Sequence, residues 1–484
     1  MFKSAKTIAI FTLISRIFGY LRDLTIASFL GASIYTDMFF IAFRIPNSLR
    51  RFLGEGAVNS AVVPVLSKLN EQDKPRAIWN LLFYFSLLLL FVTIVGVLFS
   101  KILIVIFAAG YLHNHFNMMD RLVKLIFPYI FFIGLTVLLM GILNSFKHFA
   151  IPSFAPALLN ISIIASVFFL YGKFKNPIYP LCIGVLAGGV LQLFISSMDF
   201  FSLKLPFEFS IKLEKTTVEI FKLMAISALG SSIIQISSMV DGLVASFLKS
   251  GSFSYIFYAN RLFQLPFAVF SIALAQGSLP DLSKFEEGRL KEATSVMSRF
   301  VVFYSLIIAI YVLFYSFDIV KLLFMHGRFN KADTLNVSLA LDIMITGFLF
   351  FSLTKIFSNA FYSKKDAKTP LKATIVASLS AIVLSVVLGF TIGFLGLAIS
   401  MSISGMVNFF AIFILFRKSF GELSFRDFVD KVVLSGLFFS LVFSFALSKL
   451  PFGFLLDGAL ITFILILGYR HYLRLSSSAS SSSS

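Results

Sequence analysis

The chain has 484 residues, 58% of them hydrophobic and only 13% charged, with a formal net charge of +18 at pH 7. A mean hydropathy of +0.94 excludes an ordinary soluble domain and makes lipid the solvent. The positive charge comes without a basic arm, zinc-ligand spacing or an aromatic-plus-basic sheet motif, so nucleic acid is not the indicated partner, and the single Cys182 excludes an intrachain disulfide.

A membrane span needs about 20 mainly apolar residues. Cutting the chain at charged and turn-rich stretches gives about fourteen such segments, at 7–31, 34–66, 77–107, 122–147, 154–171, 178–201, 217–248, 253–282, 297–325, 335–362, 369–390, 394–417, 427–448 and 452–474. The predicted fold class is an all-α integral membrane protein. The first segment follows Lys3 and Lys6 as a signal peptide would, but it carries Arg16, Arg22 and Asp23 and has no small-residue cleavage site, so it is expected to stay as a mature helix. The second is too long for one straight crossing and contains Pro46, Gly54 and Gly56, which predicts a bend or break. The Ser-rich tail 476–484 has no apolar face and is expected to be disordered or a non-native addition.

Fourteen spans put both termini on one side. Roughly 22 Lys and Arg lie in the termini and even-numbered loops against about 8 in the other loops, which predicts cytoplasmic termini. An internal repeat is also visible: ASFLGAS at 27–33 returns as ASFLKSGS at 245–252, Asp23 matches Asp241, and PVLSK at 64–68 returns as PDLSK at 280–284. Asn144 and Phe146 return as Asn359 and Phe361. The unit is six helices, giving two pseudo-symmetric lobes of the same orientation, 1–216 and 217–418, with two further helices in 419–475. Transporters built from such repeats bind substrate between the halves and expose it alternately to either side.

About eleven Lys and Arg fall inside spans, each costing about 2.5–3.5 kcal/mol at a helix centre, so they must line a watery or protein-walled cavity. Arg16, Arg22, Arg44, Arg50 and Arg51 crowd the first two segments. On a straight helix Asp37, Arg44, Arg51 and Glu55 fall within about 40° of one another, forming one polar stripe. Arg16 and Asp23 stack at i,i+7 on the first helix. Two readings follow. The arginines bind phosphate oxygens through paired hydrogen bonds, for which guanidinium is better shaped than ammonium, or Arg16–Asp23 and Arg51–Glu55 neutralise each other inside the bundle. Five arginines against Asp23, Asp37 and Glu55 leave a positive surplus, which favours an anionic substrate.

Arg261 sits in the otherwise apolar YANRLFQLP and faces either substrate or helix-end carbonyls. Asp241 has no charged neighbour within its own segment; cation binding, proton binding and pairing with an arginine all remain open, and Thr374, Ser378 and Ser380 are candidate neutral oxygens for a Na⁺ site. Without a nucleotide site, Na⁺, H⁺ or the membrane potential is the expected driving force, and no bound cofactor is expected. His113 and His115 have no nearby Cys or carboxylate and are read as ordinary loop residues. Gly184, Gly188 and Gly189 predict close helix packing. There is no Walker loop, nucleophile elbow or HExxH.

SRIFGYLRD, TDMFFIAFRIPNSLRRFLGEGA, YANRLFQLP and FAPALLNIS resemble the MurJ (MviN) family of bacterial lipid II flippases, nearly over the whole chain. The resemblance implies the multidrug/oligosaccharidyl-lipid/polysaccharide exporter fold in the cytoplasmic membrane, with the last two helices forming a groove for a polyprenyl tail. It also implies cavity arginines at Arg16, Arg22, Arg50, Arg51 and Arg261, with acidic partners at Asp23, Asp37 and Glu55. Arg44 stands where the family also accepts Lys, and Asn260 stands where relatives often carry Asp. The implied substrate is a disaccharide-pentapeptide joined through a diphosphate to a C55 polyprenol; membrane lipids and cell-wall synthesis proteins are the expected partners. The rivals are a flippase for another polyprenyl-linked glycan, a multidrug antiporter of the same superfamily, and a membrane enzyme acting on polyprenyl phosphates. The arginine excess opposes an antiporter for cationic drugs, and no carboxylate cluster supports a metal-dependent enzyme.

Overall fold

The computed structural model describes residues 2–54, 57–283, 285–424, 427–450 and 452–481. Its regular elements are helices, with no strand among the described residues. In chain order they are α1 (Phe2–Leu30), α2 (Ile34–Gly54), α3 (Ala57–Lys68), α4 (Lys74–Leu98), α5 (Ser100–Phe107), α6 (Phe116–Ile126), α7 (Tyr129–Ser145), α8 (Ala150–Leu170), α9 (Tyr179–Ser202) and α10 (Lys215–Ser246). Then α11 (Ser252–Pro266) continues through a π-helical stretch, Phe267–Ile272, into α12 (Ala273–Leu282). The rest are α13 (Glu287–Phe324), α14 (Lys331–Thr346), α15 (Phe348–Ser363), α16 (Lys368–Ile392), α17 (Phe394–Phe420), α18 (Lys431–Leu447) and α19 (Gly453–Ser481).

These helices fall in order on the segments predicted from hydropathy. Among the described residues nine spans are long and apolar enough to cross a membrane, and the pair α14–α15, bent by 41°, makes a tenth. α1 and α2, dense in Arg and Asp, fall outside that group. In 34–66, Pro46 stands inside α2, which is described to Gly54, and α3 is described from Ala57; a break at Gly54–Gly56 falls on positions that include residues outside the described ones. Helical backbone continues to Ser481, inside the Ser-rich tail 476–484 expected to be disordered or a non-native addition. Ser costs only a few tenths of a kcal/mol relative to Ala in a helix, and α19 is already nucleated ahead of it.

Two compact units are formed, residues 1–254 with 326–329, and residues 255–325 with 330–484. The first includes α10, which the repeat assigns to the second lobe; within this unit α10 packs on α2 and α3. α8 and α9 approach at backbone distance, as the glycine spacing predicts. A Cβ at Gly184 would lie 2.7 Å from the Ile163 Cα, and one at Gly188 2.8 Å from the Leu159 Cα, so the interface depends on small residues. The short stretch 326–329 joins this unit through the Arg328 amide, which donates to the Ser28 carbonyl at 2.8 Å.

In the second unit α18 and α19 are fastened to α13. Cβ atoms at Gly436 and Gly468 would lie 2.4 and 2.1 Å from the Phe303 ring, so both helices close directly on that side chain. At one end Ser444 donates to the buried Asp457 and Tyr315 donates to the Ser444 carbonyl. At the other, Tyr472 donates to Asp430 at 3.0 Å and Ser295 to Asp427 at 2.7 Å. Phe438, Phe439, Leu455 and Phe463 are exposed on the two helices, as lipid-facing side chains are.

The repeat also appears in backbone geometry. Lys147 (φ 64°) and Lys365 (φ 60°) are non-glycine residues in the left-handed region, 218 apart. Each follows a helix closed by a matching bond: the His148 amide to the Leu143 carbonyl at 2.9 Å, and the Asp366 amide to the Phe361 carbonyl at 3.0 Å. The Asp23–Asp241 pair has the same spacing. Asn144 and Asn359 are 215 apart and so stand one helical turn out of register with this closure.

Candidate functional site

Arg22 on α1 is 7% exposed and Asp23 fully buried. The Arg22 Nε and Nη2 both donate to Oδ1 of Asp23, at 2.9 and 2.6 Å, and Nη1 donates to Oδ1 of Asn160 on α8 at 3.0 Å. Adjacent residues point about 100° apart on a helix, yet the long Arg stem brings its planar head back over the neighbouring carboxyl. This contact replaces the Arg16–Asp23 stack that i,i+7 spacing suggests; Arg16 is exposed. Asn160 is a functional candidate that charge counting missed. Its one signal was a lone amide in the apolar FAPALLNIS. The Asn160 Nδ2 leans on the carbonyls of Ser15 and Pro156, at 3.4 Å each, and a Cβ at Gly19 would lie 3.4 Å from that nitrogen.

Arg50 is half-buried, and its Nε donates to Oδ1 of Asn47 at 2.8 Å. Arg22 and Arg50 both lie near enough to the buried Tyr129 of α7 to act electrostatically on its hydroxyl. That hydroxyl is 3.5 Å from Oε1 of Gln192 on α9. Residues of α1, α2, α7, α8 and α9 therefore converge on one polar region of the first unit. Arg44 lies apart from it: its Nη1 donates to the Ser238 carbonyl of α10 at 2.5 Å, and its head lies 4.9 Å from the Phe253 ring centroid. The bonds of Arg44 and Arg50 to neutral oxygens help to orient the two guanidinium groups.

Asp37 has a different set of contacts from the arginine stripe it was read into. It is 1% exposed and accepts from the Gly251 amide at 2.6 Å, the Ser254 amide at 2.8 Å and the Ser254 hydroxyl at 2.5 Å. It stands in the first turn of α2 and caps the start of α11, so the N-terminal ends of two helices favour negative charge there. Of the remaining stripe, Glu55 and the side chain of Arg51 lie outside the described residues.

In the second unit Arg261 is half-buried, with its guanidinium 5.1 Å from the Phe257 ring centroid. The half-buried Asn260 beside it has an Oδ1 that receives no hydrogen bond. Asp241 is half-buried on α10 of the first unit. The Thr374 hydroxyl donates to the Pro370 carbonyl at 3.0 Å and that of Ser380 to the Ala377 carbonyl at 2.8 Å, while Ser378 is buried on α16. Outside the membrane, Asp366 is held below the usual carboxylate range by hydrogen bonds from the Thr369 side chain and amide, outweighing a slight burial.

Many apolar helices, with a buried guanidinium on α1 and half-buried ones on α2, make a polytopic transporter scaffold, and solved structures agree. The chain matches a solved inward closed structure of the lipid II flippase MurJ with a TM-score of 0.83 at 28% identity, covering 96% of this chain and 98% of that one. It shares its fold with an inward-facing MATE family multidrug resistance transporter of the MOP superfamily, with a TM-score of 0.66 at 15% identity, over 86% and 97% of the two chains. The family described as "Lipid II flippase MurJ" matches residues 26–464. Among similar proteins, a probable lipid II flippase MurJ of Buchnera aphidicola is 34% identical over 88% of this chain and 85% of its own. The lipid II flippase MurJ of Burkholderia cenocepacia is 32% identical over 86% and 84%. The chain belongs to the MurJ family of lipid II flippases, which are transporters rather than catalytic enzymes.

Proposed function

We propose that this protein carries lipid II from the cytoplasmic to the outer leaflet of the bacterial cytoplasmic membrane by alternating access of its two repeat-related lobes. The observation that carries the reading is the family match over residues 26–464, and the buried arginine–amide arrangement at Arg22 supports it chemically. Arg16, Arg22, Arg50, Arg51 and Arg261 hold the diphosphate, because clustered guanidinium groups offer paired donors to phosphate oxygens. The polyprenyl tail lies along the apolar outer faces of α18 and α19. Both termini are cytoplasmic, and the driving force is a cation, a proton or the membrane potential acting through Asp241.

The test is rescue of cells depleted of their own lipid II flippase, scored together with the level of the undecaprenyl-linked precursor. Expression of this chain is expected to restore growth and return the accumulated precursor to its undepleted level, and Arg51→Lys should restore both only in part. Growth restored while the precursor stays accumulated would contradict the proposal.

A further inference from the structure

A cavity of about 310 Å³ opens on the surface of the first unit, with an apolar wall made by Leu125 of α6, Phe174 of the α8–α9 connection, and Tyr179, Cys182, Ile183 and Leu186 from the start of α9. Its volume is at the low end of the range of about 300–1,000 Å³ that small-molecule sites occupy. The connection is held against both helices: the Asn176 Nδ2 donates to the Met118 Sδ of α6 at 3.4 Å, and the Phe174 and Tyr179 rings meet edge to face with centroids 6.1 Å apart. Leu125 and Phe174 are each 39% exposed and Ile183 37%, so the cavity opens outward. From Ile183 an exposed apolar stripe continues along one face of α9 through Ala187, Val190 and Phe194. Both α9 and the helix pair Phe116–Ser145 are long and apolar enough to cross a membrane.

Cations collect at one end of this apolar surface. The Met118–Asn176 contact places the beginning of α6 at the same end as the beginning of α9. There Arg121 stands one turn before Leu125 on the same face of α6, and Lys173 and Lys175 flank Phe174; all three cations are exposed. The one acid of α6, Asp120, is engaged by Lys124 at 2.7 Å and by the Ser100 hydroxyl at 2.6 Å, and the connection 171–178 carries no acid. The stripe through Val190 and Phe194 leads away from the three cations. A charged end and an apolar track of this order match a phospholipid, with an anionic head at the cations and a chain along α9.

We propose that this cavity is a site for one anionic phospholipid of the membrane, with an acyl chain entering between Leu125, Phe174 and Leu186 and the phosphate met by Arg121, Lys173 and Lys175. The apolar wall would accept a neutral lipid equally well, so the cations carry the choice of an anionic one. Trp79 is the single tryptophan of the chain, so Phe174→Trp in a Trp79→Phe background places the fluorophore at the cavity alone. The purified protein is reconstituted in phosphatidylcholine vesicles, and quenching is compared for phosphatidylglycerol and phosphatidylcholine brominated on their chains. The anionic lipid is expected to quench with a relative affinity at least about fivefold higher. Arg121→Gln, Lys173→Gln and Lys175→Gln together are expected to bring that ratio close to one. Leu186→Phe, which narrows the cavity and leaves the cations in place, is expected to lower it as well. A ratio of one in the parent protein, or a ratio unchanged by the triple substitution or by Leu186→Phe, would overturn the proposal. So would displacement of the brominated phosphatidylglycerol by an equal mole fraction of lipid II, which would give the cavity to a polyprenyl tail. None of these outcomes depends on the flippase reading or bears against it.

Discussion

Replacing Arg22 by Ala is expected to abolish rescue and to cost about 3–5 kcal/mol of stability, the usual consequence of removing one member of a buried ion pair. The two effects have separable causes. The stability loss comes from Asp23, fully buried, which loses the cation 2.6 Å away. The transport loss comes from the missing phosphate donor. Arg22→Ala combined with Asp23→Asn removes the carboxylate charge together with its cation, so thermal unfolding of the purified protein should return most of the way to wild type while rescue stays absent. Recovery of rescue along with stability would make Arg22 a neutralising partner only. Arg22→Lys is the companion test, because an ammonium can still meet Asp23 but does not reproduce the planar fork that also reaches Asn160 at 3.0 Å.

The second large effect is expected at Asp37. Its side chain accepts three hydrogen bonds from Gly251 and Ser254, and each buried polar group deprived of its partner costs about 1–3 kcal/mol. Asp37→Ala should therefore lower stability by about 3 kcal/mol or more and raise amide hydrogen exchange in residues 251–256. Asp37→Asn keeps an acceptor oxygen and should fall between the two. Exchange unchanged in that segment in Asp37→Ala would remove Asp37 from the capping role. The fold makes this residue a bracket between α2 and α11, so a transport defect in Asp37 variants is expected to track their stability. Arg22 variants should lose transport without that correlation once Asp23 is neutralised.

The sequence disclosed the parts of this molecule that depend on local pattern. The lipid solvent sets a length of apolar helix that can be read directly, and the α8–α9 contact at Gly184 and Gly188 was legible because Gly acts where it stands. The repeat was legible through Asp23, Asp241 and the ASFL motif, though Asn144 and Asn359 misplaced it by one turn. The positive-φ closures at Lys147 and Lys365 mark the register better, and a left-handed lysine leaves no trace in composition. The partners of the charged residues were hidden for a different reason. Asp37 meets amides more than 200 residues away, and backbone groups carry no signal in side-chain chemistry. Arg22 folds onto its immediate neighbour, which helical-face arithmetic cannot anticipate, and Asn160 is one neutral amide in an apolar run. The membership of α10 in the first unit depends on its packing against α2 and α3, which repeat symmetry alone does not encode.

The central claim, that these helices move an anionic polyprenyl lipid across the bilayer, is tested most directly with the purified protein in sealed vesicles containing labelled lipid II. The measurement is the fraction of label open to a membrane-impermeant modifying reagent as a function of time, with an ion gradient or potential imposed. The wild-type protein is expected to expose inner-leaflet lipid II faster than protein-free vesicles do, while the stabilised Arg22→Ala, Asp23→Asn protein exposes it at the protein-free rate. Exposure at the protein-free rate by folded wild-type protein would contradict the account.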